Sequence, residues 1–420
     1  MACATVFDAF RMATESLGEE IYLRASYRGL FINLIPRGEY KQGTGLVQST
    51  FTVGRSEPTT DEENWMRITG STIGCLDGAT GSASGACSVC WNDTQWGYLE
   101  KTYSPEQFGL RGPVICQDDL IFNFQAARFL EVYLAALSKR SQRSLENRLR
   151  NVYMHLVPKN SATASFPYYD GGTFTNGVAP KSPSWAGVTP PTSELTQEML
   201  DRVAMDLNEQ GASDPNTNGW INLGDDGPIY PLLIGQEASQ DIQLNNAELR
   251  QDYRWAEPMN LIKRLGASRV IKNFRHIIDL FPPRYNFLAG NWIRIPTWVM
   301  ASTAPNASKG NVAIINPQWQ TAAYEVAMVL NPWVYHQEIV RPVNAAAGLS
   351  WQPKSYMGEW QFITGGTEIT DTDCYDPTKK LGRHFAEYKS ANRPIFPEFG
   401  RAIIFKRCPT TNYGTVTCAS

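Results

Sequence analysis

Histidine is scarce in this sequence: only His155, His276, His336 and His384 occur in 420 residues. Spread so widely, they form no HExxH helix and no group at metal-ligand spacing. Each is expected to be an ordinary hydrogen-bonded core or surface residue. The chain also lacks a GxxxxGK phosphate loop and a GxSxG elbow. Its nearest string, Gly81-Ser-Ala-Ser-Gly85, has alanine where the nucleophile would stand. Charged residues make up only 19%, with a formal net charge of -3. No block of about five or six Lys/Arg occurs, which removes the strong phosphate-binding footprint. No apolar run approaches the roughly 18 residues of a membrane span. Met1 to Ser16 lacks a basic start, apolar centre and cleavage site. These absences predict a chain that folds in the cytoplasm of the cell that makes it, with no membrane partner.

What is present is bulk. Apolar residues reach 42% and aromatics 11%, with 12 Trp, 18 Tyr and 18 Phe. A chain of this length is expected to fold as two or three packed units. The 26 Pro and 33 Gly point to many turns and ordered loops. Low charge fits a surface largely spent on contacts with other copies, because interface centres are depleted in charge; a large β-rich secreted protein would share the trait. Trp185, Trp220, Trp292, Trp298, Trp319, Trp333, Trp351 and Trp360 suit the packing of a wide core and of subunit interfaces, with stacking on sugars or bases as the alternative. Arg284 and Arg294 read either as partners of carboxylates between subunits or as solvated arginines at turns.

Three groups offer chemistry on paper. Cys75, Cys87, Cys90 and Cys116 hold four thiols, but their gaps are uneven and only one close pair exists. With Cys3, Cys374, Cys408 and Cys418 they read as free thiols rather than a zinc site. A glycoside hydrolase needs two carboxylates at a set separation, and Asp225-Asp226, Glu62-Glu63 and Glu359 beside Trp360 are the options. The first pair lies in a GDDGP turn and the second in a polar loop. No catalytic, cofactor-binding or metal-binding residue is assigned, and the expectation is a non-enzyme without cofactors.

Along the chain, 4–17 has Val6, Phe7, Phe10, Met12 and Leu17 near helical spacing, which predicts a short amphipathic arm helix. Residues 29–40 read as a strand broken at Pro36. Segment 45–58 alternates at Val47, Ser49, Phe51 and Val53, and 65–74 is the expected returning strand of a long hairpin. Residues 75–93 form a Gly/Ser/Ala-rich loop. From Gln117 to Leu156 the pattern changes. Leu120, Phe124, Ala127, Leu130, Leu134 and Leu137 step by three or four, and Leu145, Leu149, Val152 and Leu156 continue the stripe without Gly or Pro. Asp118 and Asp119 suit the first turn. The predicted helix is about 60 Å long at 1.5 Å per residue, with a kink near Ser141 as a variant. After a turn-rich boundary at 158–192, a second helix opens at Ser193 with Leu195, Met199, Val203 and Leu207 on one side and Gly211 as its stop. Strands are expected at 228–235, 269–281, 292–300, 311–319 and 400–408, while 322–331 reads as helix or strand. The intermixed order is α+β.

The sequence of arm, hairpin, long helix and mixed α+β region resembles the major capsid protein of tailed bacteriophages, the Hong Kong 97 fold. PIYPLLIGQEASQDIQLNNAELRQDY, LGASRVIKNFRHIIDLFPPRYN and AYEVAMVLNPWVYHQEIVRPV are similar to the axial-domain stretch of such proteins. SWQPKSYMGEWQFITGG and HFAEYKSANRPIFPEFGRAIIFKRC are similar to their closing part. The resemblance implies an N-terminal arm at 1–30, an extended β-hairpin loop at 31–74 and a peripheral domain at 75–160 with a spine helix at 117–156. A mainly axial domain at 161–345 and a return through both sheets at 346–420 would follow. It also implies self-assembly into hexamers and pentamers of an icosahedral virion head, completed in the host cytoplasm around double-stranded DNA that is contacted non-specifically. No charged helical leader of about a hundred residues precedes the arm, so the resemblance implies a separate scaffolding protein or none, beside portal and cement proteins. No self-crosslinking pair is assigned, although Lys41 lies near the loop. The alternatives are another phage structural protein, a bacterial shell protein of the same fold, or a carbohydrate-active hydrolase.

Overall fold

The computed structural model describes residues 29–39, 49–54, 98–103, 105–116, 126–163, 168–169, 184–212, 223–224, 227–245, 270–271, 273–301, 312–339, 357–364, 381–407, 410–411 and 415–416. The predicted arm helix at 4–17, the returning strand at 65–74, and residues 117–125 with Asp118 and Asp119 lie outside the described residues. The chain divides into two compact units, one of 1–48 with 103–420 and one of 49–102. In the second unit, β2 (Ser49–Gly54) pairs with β3 (Tyr98–Tyr103).

The first unit opens with α1 (Leu30–Leu34) and β1 (Arg37–Glu39), and continues with β4 (Pro105–Cys116) and the long α2 (Ala126–Leu156). Two short strands, β5 (Lys159–Ser161) and β6 (Tyr168–Tyr169), precede α3 (Gln197–Glu209). Then come β7 (Leu223–Gly224), β8 (Gly227–Pro228), β9 (Tyr230–Gly235) and α4 (Gln236–Asn245). Next are β10 (Val270–Ile271), β11 (Phe274–Asp279), β12 (Arg284–Leu288), β13 (Asn291–Ile295), β14 (Trp298–Ala301) and β15 (Val312–Ile315). The single-turn α5 (Pro317–Gln320) leads into β16 (Tyr324–Val329) and β17 (Tyr335–Ile339). Finally β18 (Met357–Thr364), β19 (Leu381–Pro394) and β20 (Arg401–Lys406) are followed by β21 (Thr410–Thr411) and β22 (Thr415–Val416). The fold class is α+β.

A nine-stranded sheet forms the core, running β10-β11-β9-β16-β20-β5-β6, with β12 paired to β16 and β13. Period-two alternation along its central strands serves both faces. Leu233, Val326, Met328, Ala402 and Ile404 point into one apolar cluster with Leu149, Val152, Tyr153 and Leu156 of α2. Their neighbours Leu232, Ile234, Ala327, Val329, Ile403 and Phe405 point into another with Leu200, Val203, Ala204 and Leu207 of α3 and Ala238 and Ile242 of α4. Helices thus cover both faces of the sheet, each burying its apolar stripe there. Residues 322–331 resolve to strand because β16 is paired on both edges, by β20 on one and by β9 and β12 on the other. The second sheet is built around β19, whose one edge pairs with β4 throughout and whose other pairs with β17 and then β18. β1 adds to β17 in parallel.

Local signals explain most boundaries. Thr196 caps α3 by accepting from the Met199 N–H, and Gly211 ends it at φ +72°. α2 runs its 31 residues without interruption past Ser141, about 46 Å at 1.5 Å per residue. The strand expected at 29–35 is corrected to helix α1. The Glu146 carboxylate accepts from the N–H groups of Phe31 at 2.8 Å and Ile32 at 3.2 Å, the otherwise orphaned donors of the first turn. A run such as FINLI has no periodicity long enough to separate the two states; a cap supplied from 115 positions away does so.

Candidate functional site

α2 is the element around which the described surface is organised. Its C-terminal half is tied to the core sheet by buried hydroxyls. Tyr153 donates to the Val329 carbonyl at 2.8 Å and accepts from the Asn331 N–H at 2.8 Å, while Tyr335 donates to the Leu149 carbonyl at 3.0 Å. Burial raises the Tyr153 phenol far above its ordinary value, outweighing the opposing pull of the Asn331 N–H and of Arg401, so it remains a neutral donor. Further toward the N-terminus, Arg148 pairs with Glu106 of β4 and Arg140 donates to the Arg111 carbonyl at 2.8 Å. One rod therefore clamps both sheets.

Beside it, the β11-to-β15 region leaves apolar side chains in solvent. Leu280 is 69% and Leu288 58% exposed, and Ile278, Ile293, Trp298 and Val299 are also exposed. Phe281 and Trp298 are in ring contact at 5.6 Å, and Trp298 stands opposite Ile315 across the β14–β15 pair. Arg143, exposed on α2, lies over the Trp298 ring at 5.3 Å. Arg150 holds the edge to α2 by pairing with Asp279 at 3.2 Å and donating to the Phe281 carbonyl at 3.0 Å. An apolar edge rimmed by cations and fixed to a rigid rod has the composition of a protein-contact surface.

A second feature is a buried charge cluster. Arg284 donates to Glu325 at 3.0 Å and to the Trp319 carbonyl at 3.1 Å, with its guanidinium 3.9 Å from the Trp319 ring. Arg407 reaches Glu237 at 2.6 Å. Desolvation lowers Arg284 and raises Glu325 from their ordinary values, against the pull each exerts on the other. Arg401, with no exposed surface, donates to Asp206 through two nitrogens at 2.9 and 2.7 Å. For Arg284 the expectation of pairing between subunits or standing in solvent is corrected. Arg284 is consumed inside the chain, and Arg294 donates to Asn151 of α2.

The sequence candidates for chemistry scatter. Cys75, Cys87, Cys90 and the Glu62-Glu63 pair lie outside the described residues, and Cys116 ends β4. β7 and β8 pair Gly224 with Gly227; Asp225 and Asp226 between them lie outside the described residues. Glu359 and Trp360 fall within β18. Ser239 and His276 meet at 3.0 Å, the distance of a nucleophile and base, but each is only 1% exposed. A substrate has no way to that pair, so it is a core hydrogen bond. Burial lowers the pKa of His384 to about 4, and lowers that of His336 with help from Arg393. Lys159, pushed down to about 8 by burial, donates to the carbonyls of His155 and Val157 at the end of α2. Trp185 and Trp319 are buried, Trp292 and Trp333 pack at the margins of the two clusters, and Trp220 and Trp351 lie outside the described residues. Among the described residues no group of three or more His, Cys, Asp or Glu is placed to hold a metal, and no helix is long and apolar enough to cross a membrane.

No known protein family and no curated protein matches the sequence. Among solved structures, the capsid of Ralstonia phage GP4 aligns with 90% of this chain and 89% of its own at 11% identity and a TM-score of 0.45. The capsid of cyanophage Pam1 covers 89% and 88% at 11% identity and a TM-score of 0.44. That of cyanophage P-SCSP1u covers 89% and 87% at 9% identity and a TM-score of 0.40.

Proposed function

We propose that this chain is the major capsid subunit of a tailed bacteriophage, with the Hong Kong 97 fold and no catalytic role. The observation that carries the reading is α2, one unbroken 31-residue rod whose C-terminal half is bolted to the nine-stranded sheet and whose middle is bolted to β4 of the second sheet. In this reading α2 is the spine, the β4-β19 sheet is the peripheral domain and the nine-stranded sheet is the axial side; the extended loop, expected at 31–74, is redrawn to 49–102 because α1 and β1 are built into the first unit. The solvent-facing apolar edge around Leu280, Phe281 and Trp298 supports it, because a chain with so few charges needs partners to cover such a surface. Subunits would form hexamers and pentamers of an icosahedral virion head around double-stranded DNA, with separate scaffolding, portal and cement proteins as further partners. Each contact can be modest, since a subunit held by several neighbours gains by multivalency.

Electron microscopy of the purified full-length protein is the direct test. Closed shells, or rings of five and six subunits, are expected. A monomer that persists at every concentration up to the solubility limit overturns the reading. As an internal control, deleting 55–97 and joining Gly54 to Tyr98 through a short linker is expected to leave the circular dichroism of the subunit near native and to stop assembly.

A further inference from the structure

Where α4, β16 and the end of β20 cross, four carboxylates meet three cations. Glu237 and Asp241 come from α4, Glu325 from β16, and Glu194 from the segment before α3. Lys406 and Arg407 come from the end of β20, and Arg284 reaches in from β12. The arginines are already engaged. Arg284 spans Glu325 and Glu237, at 3.0 and 3.5 Å, and Arg407 holds Glu237 at 2.6 Å while standing 3.9 Å from Glu325. Between these groups is a cavity of about 10 Å³, lined by Glu194, Asp241, Glu325, Lys406 and Arg407 with Leu195, Ala238 and Phe405. That is room for one water at most. Glu325 is 1% exposed, and its second carboxylate oxygen, Oε1, has no hydrogen-bond partner among the described residues.

With every group ionised the cluster carries one negative charge too many, at a place where charge is poorly hydrated. The surplus falls on Asp241. Glu325 has Arg284 against it, while Asp241 faces Glu194 and Glu237 with Arg407 as its counterweight. Desolvation and those two carboxylates raise its pKa to about 6. Among the described residues no trio of carboxylates is placed to hold a metal, and the lining cations oppose one.

We propose that this crossing is a proton-linked latch, in which protonation of Asp241 in weakly acidic solution neutralises the cluster and tightens the packing of α4 against β9, β16 and β20. The sign follows from linkage. A carboxyl whose folded pKa is raised binds its proton more tightly when folded, so stability is lost as pH rises through the interval from about 4 to about 6. The shift sets an upper limit of roughly a hundredfold on the folding equilibrium; half-burial and solvent screening reduce it to about tenfold.

The test compares full-length wild type with Asp241→Asn across pH 4 to 8, using denaturant unfolding and amide hydrogen exchange of 236–245 corrected for intrinsic rates. The two proteins should match near pH 4. Asp241→Asn should become about tenfold more stable by pH 7, with α4 exchange that no longer depends on pH. A constant difference between the proteins at all pH values, or a variant less stable at pH 8, overturns the latch. Glu194→Gln supplies an independent arm: removing that neighbour should move the wild-type transition to lower pH, and an unmoved transition also overturns the proposal. The latch is independent of shell formation and stands or falls without it.

Discussion

Replacing Tyr153 by Phe removes one oxygen and leaves the ring's packing against Phe31 and Tyr335 in place. What is lost is the junction between α2 and the core sheet, where the hydroxyl donates to Val329 and accepts from Asn331. Both backbone groups are buried among residues with about 1% exposure or less. Leaving a buried backbone group unsatisfied costs about 1–3 kcal/mol; Val329 stays paired with Arg401 in the β16–β20 ladder, so the Asn331 N–H carries most of the loss and about 1–3 kcal/mol is expected, reduced if water enters. Tyr335→Phe is the matched control. It deletes one bond to the Leu149 carbonyl, which as an interior helix carbonyl still accepts from the helical ladder, so about 0.5–1.5 kcal/mol is expected. Urea unfolding followed by tryptophan fluorescence reads both, with equal slopes showing that only stability has changed. A Tyr153→Phe loss no greater than that of Tyr335→Phe would refute the idea that hydroxyl bridges, rather than ring packing alone, fasten the rod.

Arg401→Lys should lose about 3 kcal/mol in the same assay, because an ammonium cannot reproduce the fork by which the buried Arg401 meets Asp206 and the carbonyls of Glu398 and Gly400. Gly235→Ala should be destabilising beyond the usual surface range, since the new methyl would collide with the Glu325 carboxylate and disturb its bond to Arg284; a neutral result means the cluster repacks freely. His384, whose folded pKa of about 4 is depressed, contributes stability that is full above about pH 6.5 and declines as pH falls toward 4. His384→Gln should flatten that part of a pH–stability profile, while an unchanged slope would place the titration elsewhere.

Much of the architecture was legible in residue spacing. The apolar steps from Leu137 through Leu149, Val152 and Leu156 describe the buried stripe of α2, and Gly211 marks the stop of α3, because both signals are local. Segment 228–235 reads as a buried strand for the same reason: β9 is buried along its whole length. Local reading fails where a distant partner decides. Glu146 turns 30–34 into helix, and three sheet neighbours turn the alanine-rich 322–331 into strand. The charge cluster was the least visible feature. Arg284, Glu325, Glu237 and Arg407 are spread over 171 positions and share no motif, so only the crossing of four elements reveals them as one unit. The exposed edge at Leu280 and Trp298 was equally hidden, since a sequence shows apolar residues but not which of them the fold leaves uncovered.

The β19 sheet has a consequence for biogenesis. Its strands come from positions near 38, 110, 337, 360 and 388, and β1 finds its hydrogen-bonding partner only in β17, three hundred positions downstream. A ribosome working at about 5–20 residues per second needs roughly 15 to 60 seconds to deliver that partner. Throughout that interval the unpaired edges of β1 and β4 are available to other nascent chains. Synthesis rate and chaperone occupancy, more than final stability, should therefore set how much of this protein reaches its native state.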